Sequence, residues 1–145
     1  METEFVAHIM VHGTPIAQGS MSAFTRGKRV IITDQKSKRL KPWRNAIYQQ
    51  ARKQIKEPLG GPIVVTLTFY LLRPKNQMTA KGKATRYFRT YPTAKPDIDK
   101  LTRAVLDGLT GAAFHDDSQV IELDVMKLYG EREGVEIYIA RLCDE

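Results

Sequence analysis

At 145 residues, with 42% apolar and 27% charged side chains, the chain is long enough for one self-sufficient core and too ordinary in composition for a disordered or fibrous protein. Its longest apolar run, residues 63–72, is about half a membrane span, and the start Met1-Glu2-Thr3-Glu4 lacks the basic opening and apolar stretch of a secretory signal. The single cysteine, Cys143, excludes an internal disulfide and fits a reducing compartment, so the expectation is one soluble, cytoplasmic domain over residues 1–145 with no membrane association.

Residues 5–12 (FVAHIMVH) are rich in strand formers and stop at the turn signal Gly13-Thr14-Pro15. Residues 30–33 predict a short strand after Gly27. Residues 42–56 predict a helix, with Pro42 in the first turn, Trp43, Ile47, Ala51 and Ile55 near helical spacing, and Pro58, Gly60, Gly61 and Pro62 ending it. Residues 63–72 predict a strand with apolar side chains on both parities, hence a central strand covered on both faces. Residues 73–95 are basic and carry no period; a connection of that length is usually functional or mobile. A second helix is predicted over residues 97–111, then strands over 120–128 and 135–142 joined as a hairpin around 129–134. The order β, β, α, β, α, β, β predicts an α+β domain with helices packed on a mixed β-sheet.

The net charge of +7 hides a division. Residues 1–95 hold 18 basic and 4 acidic side chains, while residues 96–145 hold 5 basic and 12 acidic ones. The basic part suits a polyanion, since each neutralised phosphate releases counterions; a basic surface made for solubility has the same composition. The carboxylates need a separate reason. Asp97 and Asp99 open the second helix, where the dipole favours negative charge, but Asp116 and Asp117 follow its end, where it does not. The helix is roughly 20 Å long, and a strand returning beside it would carry Asp117 toward Asp97 and Asp99. Three converging carboxylates form an all-oxygen site suited to Mg²⁺ or Mn²⁺, a cation that relieves their repulsion and assists phosphoryl transfer. An Asp-x-Asp motif alone also occurs in sugar-nucleotide transferases and phosphatases.

The longer string is more specific. Lys95-Pro96-Asp97-Ile98-Asp99-Lys100-Leu101-Thr102-Arg103, the following Asp107-Gly108-Leu109, and then Phe114-His115-Asp116-Asp117-Ser118-Gln119-Val120 resemble the RusA family of Holliday-junction resolvases. The resemblance covers about residues 95–128 and implies a RusA-like fold and a homodimeric, Mg²⁺-dependent endodeoxyribonuclease that makes paired nicks across a four-way junction in recombination and repair. Such proteins occur in bacteria and often in phages or prophages. By motif position Asp97, Asp99 and Asp117 are the implied metal ligands, and Arg103 joins them in the catalytic set where the family commonly has a lysine. Lys100 replaces the usual Asn, Gln18 stands where many members have a lysine after the Gly-x-Pro turn, and the stretch from Phe114 to Asp117 is one residue shorter than in some members. Arginine supports a phosphate but is a poor base, because it keeps its proton. Asp99, Arg103 and Asp107 lie four apart, which offers Arg103 ion pairs instead.

For DNA contact the candidates are Arg26, Lys28, Arg29, Lys36, Lys38, Arg39, Lys41 and Arg44, with Phe24 or Trp43 nearby and Lys100 beside the carboxylates. Trp43 is equally readable as helix core. Lys75, Lys81, Lys83, Arg86 and Arg89, interleaved with Tyr87 and Phe88, describe either a loop that orders on a junction or a solvated one. The alternatives to a resolvase are a junction-binding protein with lost or weak catalysis and a nuclease for other branched DNA.

Overall fold

The computed structural model describes residues 2–19, 22–26, 29–33 and 37–143, with side chains described at 2–19 and 38–143. The elements are β1 (Glu2–His12), β2 (Ser22–Arg26), β3 (Arg29–Thr33), α1 (Ser37–Gln54), β4 (Ile63–Leu71), α2 (Ile98–Leu109), β5 (Val120–Tyr129) and β6 (Gly134–Cys143), with 3-10 turns at Lys75–Gln77 and Asp117–Gln119. Four strands form a sheet in the order β1-β6-β4-β5, and β2 pairs with β3 in a separate antiparallel ladder. Because β4 is antiparallel to β6 and parallel to β5, the sheet is mixed, and the α+β class follows.

Two expectations fail here for topological reasons. β5 and β6 do not form a hairpin, since β4 lies between them. Residues 130–133 bridge two interstrand spacings, about 10 Å, which four residues can span. The bridge crosses the end of β4, where the Gly130 amide donates to the Leu71 carbonyl at 2.9 Å and a Cβ at position 130 would lie 3.2 Å from Tyr70 Cβ. Nor is β4 covered on both faces. Ile63, Val65, Leu67 and Phe69 are fully buried, whereas Val64, Thr66, Thr68 and Tyr70 are half-buried. Both helices pack on the same face, against Ala7, Ile9 and Val11 of β1 and Val135, Ile137 and Ile139 of β6.

Helix α1 begins at Ser37, five residues before the expected start, and contains Pro42. The buried stripe explains this: Leu40 precedes Pro42 and continues the face of Trp43, Ile47 and Ala51, so burial outweighs the hydrogen bond that proline cannot donate. Trp43 is 5% exposed and belongs to the core rather than to a DNA-facing platform. Strand β2 carries no apolar alternation and was invisible to periodicity. Helices α1 and α2 approach closely at Gly108, where a Cβ would stand 3.0 Å from both the Arg44 carbonyl oxygen and Ile47 Cβ.

Candidate functional site

Helix α2 carries Asp97 at its N-cap, with Asp99 in the first turn and Arg103 one turn further on, all exposed. The Asp97 side chain does not cap the helix; only its carbonyl enters the ladder, accepting from the Leu101 amide at 3.0 Å. Its carboxylate instead faces Lys100, with Oδ2 3.5 Å from Nζ. Among the described residues, Arg103 makes no ion pair, so the alternative of an Asp99–Arg103–Asp107 ladder does not form.

Asp107 is held from the opposite side. Gln18 Nε2 donates to its Oδ2 at 2.6 Å, Arg44 Nη1 lies 3.9 Å from the same oxygen, and Arg44 donates to Gln18 Oε1 at 3.2 Å. Arg44 is therefore turned onto Asp107 and Gln18. The Gln18 amide also donates to the Lys100 carbonyl at 3.0 Å, tying the segment after Gly13 to the start of α2. Gln18 as the partner of Asp107 was missed from sequence; the signal available was its place in a motif where a lysine is common.

The turn carrying Asp116 and Asp117 separates their roles. Asp116 Oδ1 accepts from the Ser118 amide at 3.0 Å, and Gln119 Oε1 accepts from the Asp116 and His115 amides at 3.0 and 2.8 Å. Gln119 Nε2 then donates to the carbonyls of Leu59 and Gly61 at 2.9 and 3.0 Å, pinning the turn to the loop before β4. Asp116 and Gln119 are thus consumed in building the turn, and Asp117 is left exposed for other work. A hydrogen bond to Asp116 holds the Asp117 carboxyl above the usual aspartate range, reinforced by desolvation and by the charges of Asp116 and Asp107. Asp116 is lowered, chiefly by the Ser118 amide and next by its bond with Asp117.

Asp117 faces a cleft of about 940 Å³ whose other wall carries Lys38, Lys41 and Tyr48 of α1. Lys38, Arg39 and Lys41 are exposed on the first turns of that helix. Arg26 and Arg29 sit opposite each other in the β2–β3 ladder; their side chains, that of Phe24, and Lys28 and Lys36 lie outside the described residues.

The carboxylates do not converge within one chain. Strand β5 does return beside α2, but its far end lies at the helix start, where Lys127 Nζ donates to the Pro96 and Ala94 carbonyls at 2.9 and 3.0 Å. Asp117, just before β5, is consequently at the end of α2 near Thr110, roughly 16 Å along the helix from Asp97 and Asp99. Among the described residues, no group of three or more His, Cys, Asp or Glu side chains is placed to hold a metal ion. The turn, not the strand direction, defeats the expected convergence: residues 110–116 stay at the helix end, where the Ala112 and Ala113 amides donate to the Leu109 carbonyl at 3.0 and 2.8 Å.

Residues 73–96 form a folded loop rather than an open one. Gln77, 5% exposed, is its hub, and Met78 bridges Ala84. Among the described residues, no helix is long and apolar enough to cross a membrane.

The family model for endodeoxyribonuclease RusA matches residues 12–140 of the chain. The uncharacterized protein YqaN of Bacillus subtilis (strain 168) is 33% identical over 132 residues, which cover 89% of this chain and 92% of YqaN.

Proposed function

The chain belongs to the RusA endodeoxyribonuclease family, and from that premise we propose that it resolves four-way DNA junctions as a Mg²⁺-dependent homodimer, by paired symmetric nicks. The observation that carries this reading is the disposition of three exposed carboxylates at opposite ends of α2, two at its start and Asp117 past its end. A two-fold axis crossing the helix between these ends brings Asp117 of each copy to Asp97 and Asp99 of the other, and closed two-fold dimers are the commonest assembly. One dimer then carries two equivalent sites, as two symmetric cuts require.

The donor set suits a hard cation. Mg²⁺ takes oxygen ligands and is commonly held by one or two carboxylates plus substrate phosphate, which Asp97 and Asp99 can supply, with Asp117 from the second copy completing the set. An ion held there would supply Lewis-acid polarisation of the scissile phosphate and activation of water. Lys100, with Nζ 3.5 Å from Asp97 Oδ2, partly neutralises that carboxylate and is placed to hold an adjacent phosphate. Arg103 donates to phosphate oxygens and stabilises developing charge, without acting as a base. Lys38, Arg39 and Lys41 contact the backbone of the DNA arm lying along α1.

Purified protein with Mg²⁺ is expected to cut a synthetic four-way junction symmetrically and leave linear duplex intact. Asp99→Asn is expected to abolish cutting and retain binding; undiminished cutting excludes Asp99 as a ligand. Equal cutting of both substrates leaves a nuclease without junction preference. Arg103 in the lysine position favours the second reading, a junction binder without catalysis, which requires binding and no cutting in either Mg²⁺ or Mn²⁺.

A further inference from the structure

The loop over residues 73–96 carries seven basic and no acidic side chains. It also exposes three aromatic rings within five residues: Tyr87 at 49%, Phe88 at 40% and Tyr91 at 61%. Single exposed aromatics need no explanation, but rings alternating with cations are how sequence-tolerant sites hold unstacked bases.

Phe88 is held in place by a polar hub. Gln77 Oε1 accepts from Arg73 Nη1 at 2.8 Å and from the Arg89 amide at 3.1 Å, while its Nε2 donates to the Tyr129 hydroxyl at 3.1 Å. Arg73 also donates to the Arg89 carbonyl. Its guanidinium is thereby fixed between two rings, 4.6 Å from the centre of Phe88 and 4.2 Å from that of Tyr129. Arg86 lies 4.8 Å over Tyr87 and donates to its hydroxyl at 2.5 Å. The platform exists before any ligand arrives, which lowers the ordering cost of binding.

The loop closes on a cavity of about 530 Å³, bounded by Asn76, Tyr87, Phe88 and Arg89 and by Lys95 and Pro96, which lead directly into Asp97. That volume falls within the range of roughly 300–1,000 Å³ typical of small-molecule sites. The cavity and the carboxylates at the start of α2 thus share one short stretch of backbone.

We propose that this cavity binds one unstacked nucleobase of the DNA strand being cut. The inference rests on the nuclease reading above and deepens it. The base lies against Tyr87 and Phe88, its edge meets the Asn76 amide, and Arg86, Arg89 and Lys95 take the flanking phosphates. A branch point yields an unpaired base more readily than continuous duplex does, so the cavity discriminates branched from linear DNA.

The test uses the full chain, without divalent cation so that nothing is cut, and four-way junctions carrying 2-aminopurine at single positions around the branch. Wild-type protein is expected to change the fluorescence at one position per cut strand. Tyr87→Ala is expected to lose that change and weaken junction binding about ten- to a hundredfold while leaving linear-duplex affinity within about twofold; Tyr87→Trp is expected to restore both. A short oligothymidylate strand, of about eight nucleotides, should show the same dependence on Tyr87. Matching melting curves for the three proteins establish that the fold is unchanged. If Tyr87→Ala binds junction and oligothymidylate as the wild type does, the base site is overturned. Junction cutting by wild type with Mg²⁺, measured alongside, tests the nuclease reading separately: cutting together with Tyr87-independent binding removes the base site alone, whereas absent cutting with Tyr87-dependent oligothymidylate binding removes the nuclease reading and keeps the base site.

Discussion

If each site takes Asp97 and Asp99 from one chain and Asp117 from another, two inactive variants should restore each other. Helix α2 runs from Ile98 to Leu109, a rise of roughly 16 Å, whereas a carboxylate must approach Mg²⁺ to about 2 Å. An ion on Asp97 and Asp99 is thus out of reach of Asp117 in the same chain by on the order of 10 Å. Asp99→Asn alone damages every site in a dimer, as does Asp117→Asn, and each should lose cutting by about a hundredfold or more. When equal amounts are mixed and allowed to exchange subunits, about half of the dimers are mixed. Every mixed dimer has one site carrying both changes and one carrying neither. Single-strand nicking of a junction should therefore recover to roughly one quarter of the wild-type rate, while paired cuts stay absent. The assay is a junction with one labelled strand, resolved on denaturing and native gels. If verified mixed dimers remain as inactive as either parent, the shared-site geometry is wrong; if either variant alone cuts normally, its aspartate is no ligand.

Further expectations concern the scaffold. Gln119→Ala removes two donated bonds to the carbonyls of Leu59 and Gly61 and two accepted ones from His115 and Asp116; a loss of about 2 kcal/mol, read by urea unfolding, should accompany weaker cutting as Asp117 loses its mooring. Gly108→Ala forces a Cβ to 3.0 Å from the Arg44 carbonyl and Ile47, and overpacking should outweigh the helix-propensity gain and cost about 1–3 kcal/mol in thermal unfolding. Glu136 is held below its ordinary value of 4.5, chiefly by the bond from His8. A depressed carboxylate contributes stability that is present above its unfolded pKa and lost as pH falls through the folded one. The melting temperature should therefore drop as the medium is acidified below about pH 4.5, and Glu136→Gln should flatten that limb; an identical limb in the variant would refute the assignment.

The existence of β4 and α2 was legible from local residue types, an apolar run rich in strand formers between turn signals and a helix opened by Pro96 and Asp97 and closed by Gly111, whereas the single covered face of β4 was not. The start of α1 was misjudged because Pro42 is a strong local stop signal, overridden by Leu40 in the core. The long loop had no period to read, since it is organised by one glutamine, one arginine and the rings around them. Among the acidic residues, motif position singled out Asp117; the capping bonds that employ Asp116 in the turn became visible only in the structure.

By itself the amino-acid order determined the class of fold, the family, and the carboxylates and cations available for chemistry, because residue type and local spacing are properties of the chain. Which carboxylates share a site was decided by the path of residues 110–119, where a few backbone bonds hold Asp117 at the end of α2 instead of its beginning. Spacing along a chain sets how far two groups can be apart, and only the packed turns set how close they come.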